Sequence, residues 1–373
     1  MEAAGCRRPA VIDTDPSSSF VCDYVAGVNR VLSLPPYLLV DNIGRNLEVW
    51  RFQSGEREPA ARALYDATTY PGDPMASLLD VDLHAAFLRG AGRELVTVNH
   101  FGRLRVFGLP AAGARLQPAW ELQLLGDTER IVMAGDCLIA SSPRGEFTDD
   151  PSQPGVFLFA PLAVPDGSGM GETRRLACDQ VLPDWGVIGA LAVSPAADRL
   201  AVAAGPRLGV FELACSSAGL RLGGCLWEAP LRFQCQWLHF DNANVWAGGH
   251  RPPSSAAASD DWDACCGGGI TAFAADSGTD LVTVTLPDAT AWGYGADPVV
   301  LANGGRTLYV LGRDASLEII DTTAGASHRL YGRVETTDDV TPSLGIGHLA
   351  RRDGWLYAGF SRGGFRLLRY LLE

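Results

Sequence analysis

Seven arginines each lie in a connection between two apolar runs of the chain. They are Arg45, Arg103, Arg144, Arg207, Arg251, Arg313 and Arg362. A guanidinium group donates several hydrogen bonds in one plane, so it binds phosphates and carboxylates in a bidentate manner. If the seven connections share one surface, the arginines form a binding set for an anion or an acidic peptide. The alternative is that they are ordinary polar turn residues, each paired with a nearby carboxylate.

A second candidate set combines acidic side chains with aromatic rings. Asp184 and Trp185 follow a Leu-Pro pair, and Asp288 with Trp292 repeats that arrangement later in the chain. Aromatic rings surrounded by charges are typical anchors of binding surfaces. The alternative is that the aspartates cap turns and the tryptophans pack in the interior. We expect these four residues to share a partner-binding surface with the arginines.

The chain lacks the usual catalytic motifs. Neither Gly-x-Ser-x-Gly nor His-Glu-x-x-His nor a phosphate-binding glycine loop occurs in it. We therefore predict no catalytic residue and no cofactor, and we favour a protein that is not an enzyme. The enzymatic alternative would gather polar side chains around a central metal, from a set comprising Asp80, Asp82, Glu129, Gln234 and His348.

The segment 250–269 is a long insert between two apolar runs, and it is rich in potential metal ligands. They are His250, Asp260, Asp261, Asp263, Cys265 and Cys266. Adjacent cysteines do not match the spacing of common zinc sites, in which two to four residues separate the ligands. No metal site is predicted, and the insert is expected to be a loop with free thiols.

The elements that carry these residues follow from a pattern that recurs seven times. Each copy has an apolar run, a turn and a second apolar run, as in residues 37–52 and 198–213. Such pairs predict β-hairpins, and a repeat of about fifty residues indicates a closed circular array. Further runs supply a first strand, as in 28–34, and a fourth strand, as in 61–66 and 220–228. The predicted fold is all-β: a seven-bladed β-propeller with four-stranded antiparallel blades.

The seventh copy has no fourth strand, because the sequence ends shortly after the second run of its hairpin. The N-terminal segment 9–24 belongs to no copy, so we expect it to supply this outer strand and close the last blade. Closure removes exposed sheet edges, which would otherwise favour aggregation. We predict one domain, 1–373, with no second domain. His84, His239 and His348 fall in or near first strands and are expected to pack beside the core.

The pattern resembles the WD40/YVTN-type propeller superfamily across the whole chain. The resemblance is carried by third strands that end in a small polar turn, as in LEVWRFQSGE, ITAFAADSG and LEIIDTTAG. The departures are large, since the Trp-Asp pair occurs only at 262–263, inside the insert. Gly-His occurs at 249–250 and 347–348, and only the second pair is near a first strand. The resemblance therefore implies the architecture and no particular activity.

Composition narrows the possible partners. The net charge is −13, and all 30 cationic residues are arginine, with no lysine. An acidic chain with a pI near 4.9 is a poor match for nucleic acid or an anionic membrane. The lysine absence fits a GC-rich genome, or alternatively selection against lysine, as in a substrate adaptor of a tagging pathway that avoids its own modification.

The expected compartment is the cytoplasm, because no apolar run is long enough to span a membrane and the first residues lack a signal-peptide core. The nine cysteines are scattered and are expected to be reduced, with Cys22, Cys137, Cys178 and Cys235 buried in apolar runs. The resulting hypothesis is a monomeric cytoplasmic scaffold that binds a protein partner on its loop-rich face. The alternative is an enzyme or small-ligand binder that uses the mouth of the central channel.

Overall fold

The computed structural model describes the following residues of the chain: 10–13, 27–42, 46–56, 58–66, 83–99, 102–109, 115–124, 128–142, 155–162, 178–216, 219–250, 268–286, 290–292, 297–313, 316–323, 326–330, 347–361 and 366–371. Apart from one short 3₁₀ helix, Pro183–Trp185, the regular elements in these ranges are strands. Within the same ranges, no helix has the length and apolar character needed to span a membrane.

The strands form seven antiparallel sheets of four strands each. The chain divides into two compact units, and the first comprises Met1–Leu83, Gly108–Gln117 and Ala289–Glu373. Its strands are β1 (Ala10–Asp13), β2 (Val28–Leu34), β3 (Tyr37–Asn42), β4 (Asn46–Arg51), β5 (Ala61–Asp66), β22 (Val299–Ala302), β23 (Thr307–Leu311), β24 (Leu317–Asp321), β25 (Ala326–Leu330), β26 (Gly347–Arg352), β27 (Trp355–Phe360) and β28 (Arg366–Leu371). They make the sheets β2-β3-β4-β5, β22-β23-β24-β25 and β1-β28-β27-β26.

The second unit comprises His84–Phe107 and Pro118–Asp288. Its strands are β6 (Leu83–Arg89), β7 (Glu94–Asn99), β8 (Arg103–Gly108), β9 (Pro118–Gln123), β10 (Arg130–Ala134), β11 (Cys137–Ser142), β12 (Gly155–Pro161), β13 (Cys178–Val181), β14 (Ala190–Val193), β15 (Arg199–Ala204), β16 (Arg207–Ser216), β17 (Gly219–Pro230), β18 (Gln234–Phe240), β19 (Asn244–His250), β20 (Gly268–Ala274) and β21 (Asp280–Leu286). Each group of four consecutive strands, from β6–β9 to β18–β21, is one sheet.

These sheets are the blades of a seven-bladed β-propeller, as the sequence pattern predicts. The N-terminal strand also closes the last blade: β1 lies antiparallel to β28, with Ala10 opposite Arg369 and Asp13 opposite Arg366. The observed strand covers only Ala10–Asp13, and the remainder of 9–24 lies outside the described residues. That the chain is a single domain remains a prediction.

Alternating side chains build the core between neighbouring sheets. In the second unit, Ile139 and Leu158 of one sheet pack with Leu200, Val202 and Phe211 of the next. In the first unit, a comparable cluster joins sheet β2–β5 to sheet β1-β28-β27-β26. Burial of apolar surface contributes about 25 cal/mol per Å², so these contacts between sheets hold each unit together.

Arginines supplement the apolar contacts between neighbouring sheets. Arg89 donates to the Leu162 carbonyl at 2.6 Å, and Arg199 donates to the Ala275 carbonyl at 3.1 Å. In both cases the arginine lies at a junction of first and second strands, and the acceptor follows the third strand of the next sheet. In the first unit, Arg352 of β26 donates to the Gln53 carbonyl, just after β4, at 3.1 Å. In this lysine-free chain, the multiple hydrogen-bond donors of arginine thus connect neighbouring sheets.

One histidine prediction is wrong. His84 and His348 are buried, as expected, but His239 is exposed on β18. Its ring stacks against that of Trp237, which lies on the same side of the strand two residues earlier, with a centroid separation of 6.2 Å. The apolar run that surrounds His239 indicates the strand correctly, but the first strand has a second face on which a polar side chain reaches solvent.

Candidate functional site

The best-defined surface feature begins at the 3₁₀ helix Pro183–Trp185, which links β13 to β14. Proline suits the first position of a helix, and Gly186 ends this one with φ 72°, a conformation that favours glycine. The Trp185 ring then lies over Gly209 of β16, where a Cβ would come within 2.4 Å of the ring. Phe211 contacts the ring edge-on at a centroid separation of 5.2 Å. Gly209 therefore provides the space that the indole occupies.

Arg207, at the start of the same strand, also contacts the Trp185 ring. Its guanidinium carbon lies 3.9 Å from the centroid of the Trp185 ring, which is close cation–π geometry. The same guanidinium pairs in a bidentate manner with Glu228 of β17, through Nε–Oε2 at 3.0 Å and Nη2–Oε1 at 2.9 Å. The hydrogen bond from Arg207 lowers the pKa of Glu228 below its ordinary value. The pair therefore stays charged at neutral pH.

The surroundings of this stack are open to solvent. The side chains of Arg207 and Glu228 are 46% and 42% exposed, and Asp184 is exposed beside them. Val187, two residues beyond the indole, is a large apolar residue that is 48% exposed. We call the set Asp184, Trp185, Val187, Arg207 and Glu228 the Trp185 patch. It combines an aromatic ring, an exposed aliphatic side chain and charges of both signs.

The segment that contains Trp292, which the sequence predicts to repeat this arrangement, has a different structure. Arg313 donates through Nη2 to the Trp292 carbonyl at 3.2 Å, so arginine and tryptophan again lie together. Trp292, however, is only 2% exposed, and its Nε1 has no hydrogen-bond partner among the described residues. Trp292 is therefore a core residue, whereas Trp185 contributes to a surface.

The other predicted site residues are placed separately or fall outside the described ranges. Arg103 begins β8, where it is partly buried and its amide donates to Asn99 Oδ1 at 2.7 Å. Outside the described residues lie Arg45, Arg144, Arg251, Arg362 and Asp288, with all of the insert 250–269 except His250 and Gly268–Gly269. The structure thus joins Arg207 to Trp185 and Arg313 to Trp292, and the seven-arginine surface remains a prediction.

A second polar cluster lies along the first strands of the second unit. Arg130 begins β10 and reaches two further sheets, donating to the Gly189 carbonyl at 2.8 Å and to the Gln236 carbonyl. Next to it, burial raises the pKa of Glu129 to about 7, although the charge of Arg130 acts in the opposite direction. Glu129 Oε2 is buried and has no hydrogen-bond partner among the described residues. His84 Nε2 contacts the Glu129 carbonyl.

The first unit has its own polar cluster on first strands. Arg30 of β2 forms an ion pair with Asp297 at 3.7 Å, and the Asp297 amide donates to His348 Nδ1 at 3.3 Å. Of the residues considered for a metal-centred enzyme, Gln234 is exposed at the start of β18, and Asp80 and Asp82 lie outside the described ranges. No group of three metal-ligating side chains occurs in the part of the chain that the structure describes. Arg30 and Arg130 carry no special sequence signal beyond their position in an apolar run.

Comparisons with known proteins place the chain by fold. No family model matches it, and no curated protein matches it in sequence. Among solved structures it is similar to the β-propeller domain of Cps50 (Swd1) from Myceliophteria thermophila, with 10% identity, 96% of this chain and 99% of that chain covered, and a TM-score of 0.59. It is also similar to the WD40 β-propeller domain of Doa1, with 11% identity, 99% and 97% coverage, and a TM-score of 0.58. The chain therefore has the β-propeller fold that these two domains share.

Proposed function

We propose that the chain is a protein-interaction scaffold, and that the Trp185 patch contacts the partner. The observation that carries the proposal is the contact of Arg207 with both Trp185 and Glu228, with the exposed Val187 two residues after Trp185 in the chain. Tryptophan and arginine are the residue types most enriched among energetically dominant interface positions. A side chain such as Trp185, held in place before binding, loses little conformational entropy when a partner docks.

The chemistry of the patch favours a partner segment with both apolar and charged groups. The indole and Val187 offer apolar contact, and Glu228 occupies the guanidinium of Arg207 until a partner carboxylate competes for it. An exposed pair of this kind contributes only about 0.2–1 kcal/mol to stability, so its rearrangement costs little. We further propose that the protein works as a cytoplasmic monomer and binds neither nucleic acid nor membranes, in keeping with its acidic composition.

Matched variants test this proposal. Val187→Asp places a charge in the patch, and Leu281→Asp makes the same change at a 55% exposed leucine on β21. Each variant and the wild type would be affinity-purified from the native source, and bound proteins quantified by mass spectrometry. We expect a stoichiometric partner that is lost at least tenfold with Val187→Asp and retained with Leu281→Asp. If both variants retained the partner equally, the Trp185 patch would not be the partner surface.

A small-ligand role is the second candidate, and Glu129 is the observation that favours it. An acid with a pKa raised to about 7 by burial is a common feature of ligand and catalytic sites. The same purification would be analysed for small molecules, with Glu129→Gln as the variant. A metabolite bound by the wild type and lost with Glu129→Gln, in the absence of a protein partner, would favour this candidate over the scaffold.

A further inference from the structure

Two cysteines of adjacent sheets lie together at the opposite end of β16 from Arg207. Cys215 is near the C-terminal end of β16, and Cys137 begins β11 of the preceding sheet. The Cys215 thiol lies 3.6 Å from the carbonyl oxygen of Ala134, the residue that pairs with Cys137 across the β10–β11 hairpin. A Cβ on Gly135, in the turn between them, would lie 3.4 Å from the Cys215 sulfur. Cys215 thus rests on the turn that presents Cys137.

The extended hairpin of β16 and β17 fixes this arrangement. Leu213 and Leu220, which flank the hairpin tip, belong to the same core cluster as Ile139 and Leu158 of the preceding sheet. At the tip, a Cβ on Gly219 would lie 4.0 Å from Pro161 Cδ, and Pro161 is opposite Cys137 in the register of β11 and β12. The two thiols are therefore held in place by packing on both sides of the contact.

The two thiols differ in access to solvent. Cys215 is exposed, whereas Cys137 is 1% exposed, and both are free cysteines in the structure. Burial, together with the neighbouring Cys215 thiol and its hydrogen bond, raises the pKa of Cys137 to about 11. Cys137 therefore keeps its proton at neutral pH, and Cys215 is the member of the pair that an oxidant in solution reaches first.

We propose that Cys137 and Cys215 are a redox modification site, which forms a disulfide between adjacent sheets when the protein meets a peroxide. The Cys215 thiolate attacks one peroxide oxygen, the oxygen–oxygen bond breaks, and Cys215 becomes a sulfenic acid. The Cys137 sulfur then attacks the Cys215 sulfur. The sulfenic oxygen leaves as water with the Cys137 proton. Two thiols are oxidised to one disulfide, and one hydrogen peroxide molecule is reduced to two molecules of water.

The consequence of the bond follows from its position. It would join β11 to β16 across the contact between two sheets, in addition to the apolar packing already there. A crosslink between residues this far apart in the chain restricts the unfolded state strongly, and we expect the thermal midpoint to rise by about 5 °C. This inference is independent of the proposed partner surface, because the Trp185 patch lies at the other end of β16.

The absence of lysine makes the test simple, since trypsin can cut only after arginine. Cys137 is the single cysteine in peptide 131–144, and Cys215 is the single cysteine in peptide 208–221. The reduced full-length protein would be treated with hydrogen peroxide, blocked with N-ethylmaleimide and digested without reductant. We expect the two peptides to appear as one species, lighter than their sum by two hydrogen atoms. The matched variants are Cys215→Ser, which should abolish the species, and Cys225→Ser, which should retain it.

Thermal unfolding of the same samples distinguishes the specific bond from general oxidation. Peroxide should raise the midpoint of the wild type and Cys225→Ser by about 5 °C, and it should leave Cys215→Ser unchanged. Alkylated Cys137 recovered beside oxidised Cys215, or Cys215 linked to any other cysteine, would overturn the proposal. A linked peptide formed only after the protein has been unfolded would overturn it as well.

Discussion

The guanidinium carbon of Arg207 lies 3.9 Å above the ring of Trp185, a residue that comes 22 positions earlier in the chain and belongs to the connection between two sheets. Arg207 begins the third strand of its own sheet, so the contact joins a hairpin turn to the preceding connection. The bidentate hydrogen bonds to Glu228 hold the guanidinium in this position. Two residues from separate candidate sets, the arginines and the acidic-aromatic residues, therefore form one surface feature.

Gly209 is predicted to control this feature by size alone. Gly209→Ala would place a Cβ within 2.4 Å of the Trp185 ring, so the indole must move off β16. We expect a loss of about 1–3 kcal/mol in the free energy of unfolding, and loss of partner binding. Gly224→Ala is the matched control, because no atom lies within 4 Å of its added carbon. Chemical denaturation would measure both variants. Equal stabilities would show that Trp185 does not depend on Gly209.

Arg352 is predicted to stabilise the contact between the last and the first sheets in the chain. It is buried, donates to the Gln53 and Glu56 carbonyls, and stacks over Phe52 at 3.8 Å. Arg352→Ala removes these hydrogen bonds and the packing of a buried side chain against Phe52, so we expect it to lower the free energy of unfolding by about 1–3 kcal/mol. The neighbouring Arg351 is exposed, and Arg351→Ala should change stability by less than about 0.5 kcal/mol. Urea denaturation that gave the two variants the same midpoint would contradict this role.

Glu129 is predicted to make stability depend on pH in the direction opposite to that of a carboxylate in a salt bridge. Its pKa is raised from 4.5 to about 7, so the folded state holds the proton more tightly than the unfolded state. Its protonation thus stabilises the fold, and this contribution is lost as pH rises from about 4.5 to 7. Glu129→Gln should be more stable than the wild type by about 2–3 kcal/mol at pH 8, with no difference below pH 4.5.

The measurement for Glu129 is the difference between the two unfolding free energies at each pH, which cancels the titration of all other groups. A difference that stays constant between pH 4.5 and pH 8 would show that the carboxyl is solvated in the folded protein. A difference that increases with falling pH would show that it is held as a carboxylate, for example by the adjacent Arg130.

Strand positions could be predicted where the pattern of apolar and polar side chains within the segment itself indicates a strand. The runs 28–34 and 61–66 coincide with β2 and β5, because apolar side chains predominate in the first run and form one whole face of the second. The run 220–228 is too short, since β17 extends over Gly219–Pro230. Of the additional residues, Gly219 lies near Pro161 of the preceding sheet, and Ala229 belongs to the core cluster shared with the following sheet. These contacts leave no periodic signal in the local sequence.

The candidate site could also be predicted only where its features depend on the local sequence. The exposure of Arg207 and Asp184 follows from their positions in or next to connections between strands, and Trp185 stands out as an aromatic residue beside an acidic one in such a connection. The partner of Arg207 is Glu228, which lies on the neighbouring antiparallel strand β17. The two residues are 21 positions apart in the chain, so the local sequence does not indicate their contact. Likewise, the buried position of Trp292 depends on residues distant in sequence, so its likeness to Trp185 was misleading.

Crosslinking from within the Trp185 patch tests the proposed partner surface most directly. A photo-reactive amino acid would replace Val187 in one variant and Leu281 in another, since both positions are exposed and apolar. The variants would be irradiated in cells, and crosslinked proteins identified after denaturing purification. We expect one protein to be crosslinked from position 187, with at least tenfold less of it from position 281 and after Arg207→Ala. Equal crosslinking from 187 and 281, or none from 187, would contradict it.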